Sequence, residues 1–304
     1  MSVDAVLIAG PTASGKSTAA LALAERIGGA LVNVDSMQVY REARILTARP
    51  GDADLTRVPH LLYGHVEARE HYTAARYQAD ADRALIDVRA QGRVPVFVGG
   101  TGLYFNALTE GLADIPSVPE AVRAAARARR EVLGADAFFA ELSARDPETA
   151  SRLNAADTQR VLRAAEVMEA TGRSLASWQE EKGTGPLAGL RLACFVLSPP
   201  RKELHRRIEA RFDAMLAAGA LEEAARLNGL DPRLPAAKIL GLRELWAVGA
   251  GELDLEAAKT AAKTRTRHYA KRQVTWFRHR MTDWNWLESQ DFGKILAGML
   301  QYVA

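Results

Sequence analysis

Apolar positions along the chain follow two rhythms. Short unbroken runs, Ala5-Val6-Leu7-Ile8-Ala9, Ala30-Leu31-Val32-Asn33-Val34-Asp35, Val94-Pro95-Val96-Phe97-Val98 and Leu192-Ala193-Cys194-Phe195-Val196-Leu197, have strand length. Being apolar on both faces, they suit strands of a parallel sheet covered by helices on either side. Between them apolar residues recur at helical spacing. Tyr77, Ala81, Leu85 and Val88 predict a helix from about Thr73 to Ala90, ended by Gly92. Val161, Leu162, Ala165 and Met168 predict another from Thr158 to Thr171, with Asp157 as its cap and Gly172 as its stop. Leu204, Ile208, Phe212 and Met215 mark a third after Pro200, and Lys238 to Glu244 reads as a turn and helix. Residues 41 to 75 read as loop.

The first run leads into Gly10-Pro11-Thr12-Ala13-Ser14-Gly15-Lys16-Ser17, followed by the helix-forming Thr18-Ala19-Ala20-Leu21-Ala22-Leu23-Ala24 and then Gly28-Gly29. This is G-x-x-x-x-G-K-[ST] between a strand and a helix, the setting in which it cradles phosphates. Backbone N–H groups and the helix N-terminus face the anion. Lys16 reaches outer phosphate oxygens, and Ser17 is the candidate ligand of a bridging Mg²⁺. Strand, helix and strand open a doubly wound sheet, so the expected fold is α/β, a P-loop NTPase-like parallel sheet core flanked by helices.

Two further features fall at the carboxyl edge of that sheet, where such folds bind ligands. Asp35 ends the second run, as a site carboxylate or as the cap of the next turn. Gly99-Gly100-Thr101-Gly102 follows the third, its glycines permitting close backbone approach and Thr101 offering a hydroxyl to a phosphate. No other strand ends in a carboxylate, which disfavours metal-assisted hydrolysis coupled to motion.

Between the third and fourth runs lies an all-helical excursion. We divide the chain into a core of residues 1–114 and 187–304 and an insertion of 115–186, placed to act as a lid or clamp. Ser117-Val118-Pro119-Glu120 reads as a capping-box start for a helix carrying Arg123, Arg127, Arg129 and Arg130. Gln159 and Arg163 share a face of the Thr158 helix, with Arg160 beside them. In the core, Arg207 and Arg211 lie four apart on one helix face, and arginine forks there can close over phosphates.

Residues Lys259 to Arg280 contain eight Lys or Arg and no acid, with Tyr269, Trp276 and Phe277 interleaved. Cations neutralise phosphate backbones and rings stack on unpaired bases, so this run is a candidate nucleic-acid surface. Trp276 and Phe277 can equally serve the core. The net charge of +3 over 304 residues makes any attraction for nucleic acid local rather than global. The single cysteine, Cys194, sits in an apolar run and reads as a buried thiol. No stretch is long and apolar enough to span a membrane, so a cytoplasmic enzyme is expected.

From the residues alone two functions fit: a small-molecule P-loop kinase using ATP, and a group-transfer enzyme acting on RNA with a diphosphate donor. The kinase leaves the basic run without a role. Taken jointly, the phosphate loop, Asp35-Ser36-Met37-Gln38-Val39-Tyr40, Val98-Gly99-Gly100-Thr101-Gly102-Leu103-Tyr104, Asp157 to Ala164 with Thr171-Gly172, Arg207 to Met215 and Ala270 to Arg278 resemble the bacterial tRNA dimethylallyltransferase (isopentenyl-diphosphate:tRNA transferase) family.

The resemblance implies transfer of a dimethylallyl group from dimethylallyl diphosphate to the exocyclic amine of the adenosine on the 3′ side of the anticodon, in tRNAs reading U-starting codons. It implies that the phosphate loop, residues Gly10, Pro11, Thr12, Ala13, Ser14, Gly15, Lys16, Ser17 and Thr18, holds the donor. Asp35 would be the base, with Thr101, Arg211 and Mg²⁺ stabilising the departing diphosphate. Asp35, Ser36, Met37, Gln38 and Thr101 would meet the target base, flipped out of the anticodon stem-loop. Arg123, Gln159, Arg160, Val161, Leu162, Arg163, Arg243, Lys271, Arg272, Gln273, Trp276 and Arg278 would complete the tRNA contacts. A monomer is expected. The sequence departs from the family at Leu46-Thr47-Ala48-Arg49-Pro50, where Gly-Thr-Ala-Lys-Pro is frequent, and at Pro59-His60-Leu61, where His-His-Leu is.

Overall fold

A computed structural model describes residues 3–181 and 183–303. In chain order the elements are β1 (Ala5–Ala9), α1 (Lys16–Ile27), β2 (Gly29–Asn33), α2 (Asp52–Leu55), β3 (His60–Leu61), α3 (Ala74–Ala90), β4 (Val94–Gly99), α4 (Gly102–Thr109), α5 (Glu120–Leu133), α6 (Ala135–Arg145), α7 (Pro147–Ser151), α8 (Thr158–Thr171), α9 (Leu175–Glu180), β5 (Leu192–Leu197), α10 (Arg201–Ala217), α11 (Ala220–Arg226), α12 (Leu242–Gly249), α13 (Leu255–Arg280), β6 (Asn285–Leu287) and α14 (Phe292–Val303).

Among the described residues six strands, all paired parallel, lie in the order β3-β2-β4-β1-β5-β6. β1 is buried at every position, and so is β2. Helices supply the covering layers that such strands need. On one face α1 contributes Ala19, Ala20, Leu23 and Ala24, small residues that let it lie close to Val6, Ile8 and Val96. α14 joins that layer through Ile295, Leu296 and Met299. The other face is covered by α3 and α4, where the Tyr77 and Tyr104 rings stack at 3.8 Å. Each large apolar side chain taken out of water in these layers stabilises the fold by about 2 kcal/mol.

The chain forms two compact units, residues 1–109 with 186–304, and residues 110–185. The division falls within a few residues of the boundaries read from sequence. Leu187 N–H pairs with Leu108 C=O in the first unit, and Gly183 N–H with Leu112 C=O in the second, so the outgoing and returning chains pair at the junction. The named elements of the second unit, α5 to α9, are all helices, and Val118, Phe138, Leu142, Val161, Ala164, Val167 and Leu175 form its own core. α8 begins and ends as the sequence predicts: Asp157 caps the Arg160 N–H and Gly172 closes it in the left-handed conformation (φ 66°). α5 differs. It begins at Glu120 after Pro119 in an extended conformation, with no side-chain cap, so Ser117 forms no capping box.

Candidate active site

The strand order sets the site. β4 lies between β1 and β2, so the phosphate loop after β1 and Asp35 after β2 stand two strand spacings apart, roughly 10 Å. The Gly99-Gly100-Thr101-Gly102 turn lies between them. The loop itself is tight. A Cβ on Gly10 would lie 2.7 Å from the Leu197 carbonyl at the end of β5, and Gly15 takes φ 90° to turn the chain into α1. Ala13 adopts φ 64°, a left-handed conformation costly for a residue with a Cβ.

Lys16 is buried, its Nζ donating to the Pro11 carbonyl at 3.3 Å. Burial lowers its pKa to about 8; the nearby Asp35 charge opposes that shift and the Arg211 charge adds to it. Arg211 is likewise pushed below its ordinary value by burial, with Asp35 opposing. Lys16, Arg211 and Asp35 therefore share one electrostatic neighbourhood. Ser14 Oγ is buried without a hydrogen-bond partner among the described residues.

Asp35 caps the next turn, one of the two readings the sequence allows. Its Oδ1 accepts from the Met37 N–H at 2.9 Å, while its Oδ2 has no hydrogen-bond partner among the described residues. Its backbone is fixed by Asn33, fully buried in the last position of β2: Asn33 Oδ1 accepts from the Asp35 N–H at 2.9 Å and Nδ2 donates to the Asp35 carbonyl at 2.9 Å. Burial raises the pKa of Tyr63 and Tyr269, and the Asp35 charge raises both further, so both phenols stay protonated within the field of this carboxylate. The sequence reading missed Asn33 and Tyr63, and took Tyr269 only as a ring of the candidate nucleic-acid surface. A buried polar residue in an apolar strand was the available signal for Asn33; Tyr63 gave none.

The second glycine-rich turn is filled by protein, not left open for a ligand as the sequence suggested. A Cβ on Gly99 would meet the Val34 carbonyl at 2.0 Å, one on Gly100 the Gln273 Nε2 at 2.3 Å, and one on Gly102 the Trp276 ring at 2.3 Å. The Thr101 hydroxyl accepts from the Ser36 N–H at 2.9 Å and donates to Ser36 Oγ at 3.2 Å, which ties it to the segment carrying Met37 and Gln38. Gln38 Nε2 donates to the Thr47 carbonyl at 2.9 Å. Arg207 reaches the phosphate loop, donating to the Ser14 carbonyl at 3.3 Å and to Glu203 at 2.6 Å. Arg206 and Arg207 together hold Glu203 down to about 2.

The basic helix divides in two. In its first half Lys259 and Lys263 pair with Asp213, Arg265 with Glu244, and Arg267 with Glu209. In its second half Lys271, Arg272, Arg278 and Arg280 are exposed, with no ion pair among the described residues. Arg272 lies 5.8 Å over the Tyr269 ring. Trp276 is half-buried and Phe277 fully buried. Gln273, expected to contact tRNA, is buried with both ends of its amide bonded inside the core. Arg243 is exposed on α12.

In the helical unit Gln159 and Arg160 are exposed. Arg123, Arg163 and Glu166 share a charged patch, where burial lowers Arg163 and raises Glu166. Val161, expected among the tRNA contacts, is 2% exposed in that unit's core, and Leu162 packs against the same core. Their apolar side chains face inward because the helix must bury one stripe.

Comparison with known proteins closes the question of kinship. A family model described as IPP transferase matches residues 38–280, and one described as isopentenyl transferase matches residues 3–67. The tRNA dimethylallyltransferase of Bradyrhizobium sp. strain BTAi1 is 55% identical over 93% of both chains, and that of Rhodospirillum centenum is 55% identical over 91% of this chain and 88% of its own. Among solved structures, a full-length tRNA isopentenylpyrophosphate transferase from Bacillus halodurans superposes with a TM-score of 0.69 at 31% identity, covering 98% of this chain and 97% of that one. A eukaryotic dimethylallyltransferase described as acting on tRNA gives 0.78 at 28% identity, covering 96% and 75%. The kinase alternative finds no support among these matches. The chain belongs to the tRNA dimethylallyltransferase family of prenyl transferases.

Proposed function

We propose that this enzyme transfers a dimethylallyl group from dimethylallyl diphosphate to the exocyclic amine of the adenosine 3′ to the anticodon, in tRNAs reading U-starting codons, releasing diphosphate. The observation that carries the reading is the carboxylate of Asp35 in the same electrostatic neighbourhood as Lys16 and Arg211. An adenine exocyclic amine is a weak nucleophile because its lone pair is delocalised into the ring. Asp35 Oδ2 accepts its proton while Oδ1 keeps the Met37 turn intact. Negative charge grows on the departing diphosphate, where Lys16, Arg211 and the N–H groups of residues 15 to 18 at the head of α1 are pre-oriented to meet it. Thr101 positions the Ser36 to Gln38 segment against the base.

The donor set at the head of α1 suits Mg²⁺. The described residues hold no group of three His, Cys, Asp or Glu, so a cation here would take the exposed Ser17 hydroxyl and substrate oxygens, as Mg²⁺ does. Bound Mg²⁺ would supply further neutralisation of the diphosphate. Lys271, Arg272 and Arg278 on α13, Arg243 on α12, and Arg123, Gln159, Arg160 and Arg163 in the helical unit serve the anticodon stem-loop of tRNA. The enzyme works as a cytoplasmic monomer. No helix among the described residues is long and apolar enough to cross a membrane. The direct test is incubation with labelled dimethylallyl diphosphate and total tRNA, then nucleoside analysis. Label in a prenylated adenosine is the expected result; ATP consumption without labelled tRNA would overturn the reading.

A further inference from the structure

Gln273 lies on α13, three residues before Trp276 and directly after the exposed Lys271 and Arg272, yet only 6% of it is exposed. Its Oε1 accepts the Thr12 N–H at 2.9 Å, and its Nε2 donates to the Gly100 carbonyl at 2.8 Å. Thr12 belongs to the phosphate loop after β1, Gly100 to the turn after β4, and the sequence separations are 261 and 173 residues. Gly100 must lack a side chain for this contact, since a Cβ there would sit 2.3 Å from Nε2. Gly102 makes the same allowance for Trp276.

From these contacts we infer that Gln273 is a positioning residue of the diphosphate site and not a tRNA contact: its amide pins the phosphate loop to the Gly-Gly-Thr-Gly turn and keeps both in register beside Asp35. The inference rests on the proposed transferase reading. An amide is required because one end must accept and the other donate. Glutamate has the same size but two acceptors, so it would oppose the Gly100 carbonyl. It would also set a negative charge against the loop that holds an anionic donor. Alanine would leave the Thr12 N–H and the Gly100 carbonyl without partners.

The test measures equilibrium binding of inorganic diphosphate and of an anticodon stem-loop RNA to the full-length protein, as wild type, Gln273→Ala and Gln273→Glu. Both variants should bind diphosphate more weakly by about tenfold or more, and the RNA within about twofold of wild type. For Gln273→Glu the diphosphate defect should shrink as pH is lowered, because a protonated carboxyl regains the donor that Gly100 needs; a merely structural lesion would not recover. Should Gln273→Ala fail to fold, the isosteric Glu variant carries the test through that pH dependence. Variants that bind diphosphate like wild type at every pH, or that lose the RNA and keep diphosphate, overturn the inference. A wild type that binds no diphosphate overturns the donor-site reading instead.

Discussion

Gln38 and Arg211 donate to the same carbonyl oxygen, that of Thr47, at 2.9 and 3.5 Å. One residue is assigned to the target base and the other to the diphosphate, so a single peptide ties the two halves of the proposed reaction together. The loop bearing that peptide is anchored from beneath by Glu223 on α11, which is 2% exposed. Its carboxylate accepts the N–H groups of Arg44 and Ile45 on Oε2, at 2.9 and 2.8 Å, and that of Leu46 on Oε1, at 2.8 Å. This is the stretch where the sequence departs from the family's usual Gly-Thr-Ala-Lys-Pro. Of the two departing positions, Leu46 is buried against the core and Arg49 donates to the Tyr40 carbonyl at 2.9 Å.

Glu223→Gln should therefore disturb both substrates at once. The amide keeps the volume but turns an NH2 toward backbone N–H groups, losing at least one charge-assisted hydrogen bond. Steady-state kinetics should show KM rising by about fivefold or more for donor and for tRNA together. A change confined to one substrate would separate Gln38 from Arg211.

Asp35→Asn isolates the base from the turn. Asparagine retains the oxygen that accepts the Met37 N–H, so the local fold should persist, but it cannot take a proton from the amine. Single-turnover prenylation should fall by about a hundredfold or more. Filter binding should give tRNA affinity close to wild type, and retained turnover would remove Asp35 from the chemistry.

Lys16 gives the donor step a pH signature. Burial holds its pKa near 8 in the free protein, so its ammonium is lost as pH rises through that value. A bound diphosphate favours the protonated form, so binding above that pH must take up a proton and weakens as pH increases. Calorimetry with inorganic diphosphate in buffers of different ionisation enthalpy should show this uptake. Lys16→Arg should abolish it, because a guanidinium stays charged throughout.

Local rules were enough for part of this fold. α8 obeys its own cap and stop, and the apolar runs became β1, β2, β4 and β5. β3 and β6 have two and three residues and hold only by pairing with strands formed elsewhere, Leu31 with His60 and Phe195 with Asn285, so no rhythm announces them. The same limit applies within the site. Lys16 opens α1, and Asp35 and Thr101 follow closely on β2 and β4, elements that periodicity can locate. Gln273 and Glu223 gain their roles from loops more than 170 residues away. Val161 illustrates the opposite error: position in a motif suggested RNA, while the stripe to which it belongs had already assigned it to the core. Val161→Ala should cost about 2 kcal/mol of stability in the helical unit, read by denaturant melts.

α13 offers the sharpest separation of binding from stability. The acid-free run looked uniform, yet its acids are supplied by neighbouring helices along the first half only. Arg265 donates to Oε1 of Glu244, whose side chain is 8% exposed and whose Oε2 has no hydrogen-bond partner among the described residues. Arg265→Ala strands that buried carboxylate, so it should lower stability by about 3 kcal/mol and leave the salt dependence of tRNA binding unchanged. Lys271→Ala removes an exposed cation with no ion pair among the described residues, so stability should stay within about 0.5 kcal/mol. If Lys271 contacts a phosphate, its loss should reduce the slope of log K against log salt by about one unit, equally for every tRNA tested. Thermal melts and salt titrations of both variants should therefore give crossed results. Should Arg265→Ala change the salt slope while Lys271→Ala does not, the RNA lies along the first half of the helix and the ion pairs there open on binding.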